Sequence, residues 1–77
     1  MGKVKLIWDF RGPNGKRTAE HHCVHLHDFI KMEKLHGEAI KVVEFSEMHA
    51  AATMIIKEED VTVMREKLKP HRGQRVE

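Results

Sequence analysis

The stretch KVKLIWDFRGPNGKRT, residues 3–18, decides the fold because it contains a strand, a turn and the start of a helix. Apolar side chains recur at every second position of residues 3–10, which is the period of a half-buried strand. Two glycines, a proline and an asparagine within residues 11–15 then predict a turn. Thr18 is a favourable N-cap residue, so we expect the first helix to begin there.

Two helices are predicted by their end signals. The first should run to about residue 35 or 36, where Gly37 suits a C-terminal stop. Three acidic residues at positions 58–60 favour the positive end of a second helix, and Pro70 ends that helix.

Residues 39–45 and 49–56 predict a second and a third strand joined by a tight turn. The order β-α-β-β-α predicts an α+β domain, in which a three-stranded antiparallel or mixed sheet is backed by two helices. The third strand should lie between the other two, antiparallel to both. This order resembles the ferredoxin-like split β-α-β fold without its last strand. We expect one domain over residues 1–70 and a basic C-terminal tail over residues 71–77.

Composition narrows the cellular setting. The single cysteine, Cys23, excludes an intrachain disulfide and favours a reducing compartment. No apolar run reaches the ~18 residues of a membrane span and no signal peptide is recognisable, so we expect a cytoplasmic protein without membrane contact. Nine Lys/Arg and two Asp/Glu lie in residues 1–17 and 67–77, against five and ten in residues 18–66. Both ends of the chain are therefore basic and its middle is acidic.

Histidines suggest a metal site. In the predicted topology the start of the first helix, the turn between the second and third strands and the end of the second helix meet at one end of the sheet. Asp9, Arg11 and Arg72 should lie at this end with the histidines. His21 and His25 are four residues apart on a helix, a spacing that lets two imidazoles share one cation. Histidine nitrogen with carboxylate suits Zn, Ni or Cu. The predicted ligands are His21, His22, His25, Glu47, His49 and His71. The alternative is a solvated, histidine-rich helix flank.

The basic loop before the first helix suggests an anion site. Free backbone N–H groups and the helix dipole favour an anion at a helix N-terminus. The predicted anion-binding residues are Arg11, Gly15, Lys16 and Arg72. The alternative is an ordinary strand-to-helix connection that carries solubilising charges.

Catalysis is a further possibility, because histidine titrates near neutral pH and a His–carboxylate pair can act as a general base. His22 or His49 with Glu47 would form that pair. Cys23 falls on the core face of the first helix, where apolar burial raises the pKa of a thiol, so a nucleophilic role is not predicted.

The sheet face away from the helices should be apolar, with Ile7, Ala51, Thr53, Ile55 and either Val43 or Phe45. Such a face predicts a homodimer formed through it.

Nucleic-acid binding is not predicted, because there is neither an aromatic platform nor an RNP-like motif. The sequence thus favours a small ligand-binding domain with a histidine-rich site, and leaves open a small enzyme acting on an anionic substrate or a dimeric interaction module.

Overall fold

The computed structural model describes residues 2–76, which form four strands and two helices. The elements are β1 (Lys3–Arg11), α1 (Gly15–Glu33), β2 (Glu38–Ser46), β3 (His49–Lys57), α2 (Val61–Leu68) and β4 (Arg72–Val76). A short 3-10 turn, Glu58–Asp60, precedes α2. No helix in this part of the chain is both long and apolar enough to cross a membrane.

The strands form one sheet in the order β2-β3-β1-β4, and every neighbouring pair is antiparallel. As predicted, β3 lies between β1 and β2. The prediction of a three-stranded sheet is wrong, because β4 pairs with the outer side of β1 from Lys3↔Val76 to Ile7↔Arg72. The fold remains α+β, with the element order β-α-β-β-α-β.

The strand β4 lies in the segment predicted to be a basic tail, whose last residue, Glu77, is outside the described residues. Its sequence, RGQRV, lacks the apolar alternation of a half-buried strand, since only Val76 is partly buried. An edge strand can be this polar, and charged side chains there discourage pairing with other chains. Hydrophobic periodicity therefore carries no signal for β4.

Helix α1 begins four residues earlier than predicted, since its N-cap is Asn14 and not Thr18. Asn14 occupies the N-cap position, and its carbonyl oxygen accepts hydrogen bonds from the backbone N–H and the hydroxyl of Thr18, both at 3.0 Å. Thr18 is thus inside the first turn. The helix also ends earlier, at Glu33, where Lys34 adopts the left-handed conformation. Gly37 serves close packing instead, because a Cβ there would collide with Ile30 and Met54.

Both helices cover one face of the sheet and form the core with it. Small residues on β3 let α1 approach closely. The buried core side chains are Leu6, Trp8, Ala19, Leu26, Ala50, Ala52, Met54, Ile56 and Met64.

The opposite face, which we call the open sheet face, carries the alternate residues of each strand. It consists of Lys3, Lys5, Ile7, Asp9 and Arg11 on β1; Glu38, Lys41, Val43 and Phe45 on β2; His49, Ala51, Thr53, Ile55 and Lys57 on β3; and Arg72, Gln74 and Val76 on β4.

Candidate functional site

Three polar side chains from three strands meet on the open sheet face. Asp9 accepts hydrogen bonds from Arg72 at 2.9 Å (Nε to Oδ2) and 3.0 Å (Nη2 to Oδ1). His49 Nε2 lies 2.8 Å from Asp9 Oδ1. The antiparallel register explains the meeting, since Asp9 is opposite Ala51, whose small side chain leaves room for His49 on the diagonal. We call Asp9, His49 and Arg72 the Asp9 cluster.

The Asp9 cluster favours the ionised form of the Asp9 carboxylate. The hydrogen bond from Arg72 lowers the pKa of Asp9, partial burial opposes that shift, and the hydrogen bond from His49 adds to it. Reciprocally, Asp9 raises the pKa of Arg72. A bidentate guanidinium–carboxylate pair also fixes the orientation of the guanidinium group. The Arg72 side chain is therefore held across the sheet surface although it is half exposed.

An exposed aromatic ring adjoins the Asp9 cluster. Phe45 is 53% exposed, although Phe is among the residue types most often buried. Its ring centroid lies 4.7 Å from that of His49 at an interplanar angle of 35°, and Arg72 Cζ is 5.9 Å from the Phe45 centroid. These distances suit stacking and a cation–π contact. The aromatic surface of Phe45 and His49 is thus anchored to the cluster.

The backbone reinforces the junction between β1 and β4 beside the Asp9 cluster. The N–H of Asp9 donates to His71 Nδ1 at 2.7 Å, and the N–H of His71 donates to the carbonyl of Ile7 at 2.9 Å. The His71 ring lies 6.3 Å from that of Phe10. His71 therefore supports the strand that delivers Arg72.

The open sheet face is positively charged. It carries six Lys/Arg and two Asp/Glu, a formal net charge of +4, compared with +2 for the whole chain. Asp9 pairs with Arg72, and Glu38 pairs with Lys3. Within residues 2–76, no acidic side chain pairs with the other four cations, which are Lys5, Arg11, Lys41 and Lys57.

The apolar floor of the open sheet face is already shielded. Ala51, Thr53 and Ile7 are only 0%, 2% and 6% exposed, although no helix covers them. The longer side chains around them must therefore stand over them. The predicted homodimer was argued from apolar surface left in water, and most of that surface is not in contact with water. Dimerisation through this face stays a prediction with a smaller driving force.

The predicted metal ligands are divided between two layers. His21 and His25 lie exposed and side by side on α1, with ring centroids 5.2 Å apart. His49 is on the open sheet face, and Glu47 is exposed in the turn between β2 and β3. In the described part of the chain, no group of three or more His, Cys, Asp or Glu is placed to hold a metal ion. Binding of Zn, Ni or Cu stays a prediction, and the pair on α1 is its remaining basis.

His22 belongs to the packing of the helix layer. Its ring lies 5.0 Å from Trp8 and 5.5 Å from Phe10, and its Nε2 is buried without a hydrogen-bond partner among the described residues. Burial lowers the pKa of His22, and the nearby His25 and His71 lower it further. The neutral ring therefore packs as an aromatic residue would.

The predicted anion-binding residues are also divided. Lys16 Nζ lies 3.9 Å from Glu44 in the helix layer, and Gly15 is buried against the backbone of Phe10. The N–H of Gly12 donates to Met48 O at 2.7 Å, and that of Gly15 to Gly12 O, so two backbone donors of the loop are engaged. Arg11 and Arg72 instead lie on the open sheet face, where positive charge collects.

Sequence reasoning placed Asp9 and His49 at the same end of the sheet, but it predicted neither their direct pairing nor the exposure of Phe45 beside them. It offered Glu47 as the carboxylate for His49, whereas the structure places Asp9 there. Because strand residues alternate between the two faces of the sheet, Asp9 was predictable on the same face as Ile7. Its diagonal partner on β3, His49, was not predictable. Comparison of the chain with protein-family models, curated proteins and solved structures gives no match.

Proposed function

We propose that the chain is a small binding domain for anionic ligands, and that the open sheet face is its binding surface. The observation that carries the proposal is the set of four cations, Lys5, Arg11, Lys41 and Lys57, that no described acidic side chain neutralises. The α+β architecture supports no function by itself, because one architecture serves many functions.

Electrostatics supports an anion rather than a neutral ligand. A surface lined by one sign of charge raises the local concentration of the opposite ion and speeds association. Arg72 adds donors whose direction Asp9 fixes, so less side-chain freedom is lost when a phosphate or carboxylate approaches. The helices on the other side of the sheet leave this surface uncovered.

Titration with short-chain inorganic polyphosphate at low salt tests the proposal. The variant Lys41→Glu/Lys57→Glu reverses two exposed cations on the open sheet face. The control, Lys31→Glu/Arg65→Glu, makes the same change in net charge on the helix side. We expect the first variant to lose affinity at least ten-fold and the control to change it far less. Equal losses would assign binding to overall charge and contradict a site on the sheet.

General-base catalysis by His49 is a second candidate, favoured by its orientation. When Nε2 carries the proton donated to Asp9, Nδ1 holds the lone pair that accepts a substrate proton. The assay compares wild type with His49→Gln in hydrolysis of 4-nitrophenyl phosphate and 4-nitrophenyl acetate across neutral pH. Turnover above buffer that the variant lacks would support catalysis. Rates equal to buffer for both substrates would argue for a binding domain only.

A further inference from the structure

We propose that the anionic ligand of the open sheet face is a single-stranded nucleic acid, whose bases stack on Phe45 while its phosphates contact the surrounding cations. The inference rests on the proposed function and adds the chemical class of the ligand. It differs from the expectation drawn from sequence, which found no aromatic platform. Phe45 and His49 lie on different strands and form such a platform only when the hairpin is folded.

The exposed ring of Phe45 is the feature that separates a nucleic acid from other anions. A phosphate or carboxylate gains nothing from a phenyl ring, whereas every base has a flat π-face that stacks on one. Open sheets that bind RNA use aromatic side chains in this way. Phe45 keeps half of its surface in water beside a strongly basic area.

The platform is pre-organised. His49 stacks against Phe45, and Asp9 holds the His49 ring by its Nε2. Arg72, fixed by the same carboxylate, lies within cation–π distance of the phenyl ring. A base that stacks on Phe45 therefore meets a ring whose neighbours are already ordered, which lowers the entropy lost on binding.

The cations extend too far for one small anion. Lys57 lies opposite Lys3 at one end of β1, and Arg11 lies at the other end. Eight residue steps at about 3.4 Å each separate these ends by about 27 Å. Lys5 on β1 and Lys41 on β2 lie between these ends, on the two strands that flank β3. This arrangement fits an extended polyanion that crosses the sheet and contacts several cations at once.

Charge also disfavours a second copy of the chain on this face. Two open sheet faces would bring net charges of +4 and +4 together, and their apolar floors are largely shielded before any contact. A polyanion, by contrast, neutralises the positive charge of the open sheet face. An acidic polypeptide would do so as well, but its carboxylates have no flat π-face that could stack on the exposed ring of Phe45.

The test is fluorescence anisotropy with a labelled twelve-residue oligouridylate and with an abasic oligomer of equal length and charge. We expect wild type to bind the oligouridylate at least five-fold tighter than the abasic oligomer, as a stacked base contributes. Phe45→Leu, which keeps an apolar side chain, should abolish that preference and leave abasic binding unchanged. Lys41→Glu/Lys57→Glu should weaken both. Four phosphate contacts predict a slope of about −3 when the logarithm of the binding constant is plotted against the logarithm of the salt concentration.

The outcomes separate this inference from the proposed function. Equal affinity for both oligomers would overturn base stacking and leave the anion proposal standing. No binding of either oligomer or of polyphosphate would overturn both. Polyglutamate bound as tightly as oligouridylate would assign the surface to acidic proteins. A dimer in analytical ultracentrifugation that Phe45→Leu dissociates and oligouridylate does not would assign it to a second copy. Circular dichroism melting confirms that each variant is folded.

Discussion

Replacing Asp9 with Asn removes the charge that organises the Asp9 cluster. The carboxylate accepts three hydrogen bonds of 2.8 to 3.0 Å and its side chain is 16% exposed. An Asn has one acceptor oxygen where the carboxylate has two. Its amide N–H group would also face an N–H donor of Arg72 or His49. We therefore expect Asp9→Asn to lower stability, and the arrangement allows the size of the loss to be bounded.

Hydrogen bonds that involve a charged group are worth about 1.5–3 kcal/mol when buried, and exposed ion pairs are worth at most about 1 kcal/mol. The Asp9 cluster lies between these cases, because Asp9 is largely buried while Arg72 is half exposed. We expect a loss of about 1–2 kcal/mol, which lowers Tm by about 4–16 °C in a domain of this size.

The loss should depend on pH in a defined direction. Arg72 and then His49 hold the pKa of Asp9 below its ordinary value of about 3.9. The folded state therefore binds the proton less readily than the unfolded chain, and the resulting stability is present above pH 4. It disappears as the pH falls through the folded-state pKa. Wild type and Asp9→Asn should thus differ at pH 7 and converge in strong acid.

Thermal and urea denaturation at several pH values measure this effect. Asp28→Asn on the exposed side of α1 is the matched control, since it removes the same charge where no described cation pairs with it. If Asp9→Asn lowers Tm no more than Asp28→Asn does at pH 7, the Asp9 cluster does not stabilise the fold and the argument above fails.

Other residues allow independent tests. Burial lowers the pKa of His22, so wild type should lose stability as the pH falls below about 6.5. His22→Phe should lose less stability than wild type between pH 7.5 and 5.5. Equal losses in the two proteins would show that protonation of His22 is not the cause. Gly15→Ala should lower Tm, because a Cβ would lie 2.7 Å from the carbonyl oxygen of Phe10. Gly→Ala usually raises stability within helices, so a higher Tm would contradict the close approach of Gly15 to the Phe10 backbone. Burial, helped by Glu20, raises the pKa of the Cys23 thiol, so Ellman's reagent should react far more slowly with folded protein than in urea.

Hydrophobic periodicity predicted three strands and two helices because each of them buries one face. Leu6, Trp8, Met54 and Ile56 are core residues at alternate positions of their strands. The fourth strand could not be predicted in this way, because an edge strand that buries almost nothing has no apolar period. The start of α1 was misplaced for another reason, since Thr18 competes with Asn14 as an N-cap and local preferences favour both.

The site was predicted only in part because topology specifies an end of the sheet but not a face. The strand and helix ends do converge, as the contact between Gly12 and Met48 shows. Yet His22 packs on the helix side, and His49 lies on the open side. Which carboxylate meets His49 depends on the register of β1 and β3, in which Arg11 lies opposite His49 and Asp9 lies on the diagonal. Register and bulges are properties of paired strands that a single strand's sequence does not encode.

The strand β4 brings Arg72 to the site, yet among the described residues it is bonded only to β1 and lies at the sheet edge. Edge strands of five residues open more readily than central ones. Any ligand that requires Arg72 binds only molecules in which this strand is docked, and so raises the free energy of its opening by RT ln(1 + [L]/Kd). Occupancy of the site and fraying of the edge are therefore one linked equilibrium. Hydrogen exchange at the amides of β4 would report ligand binding without any label on the ligand.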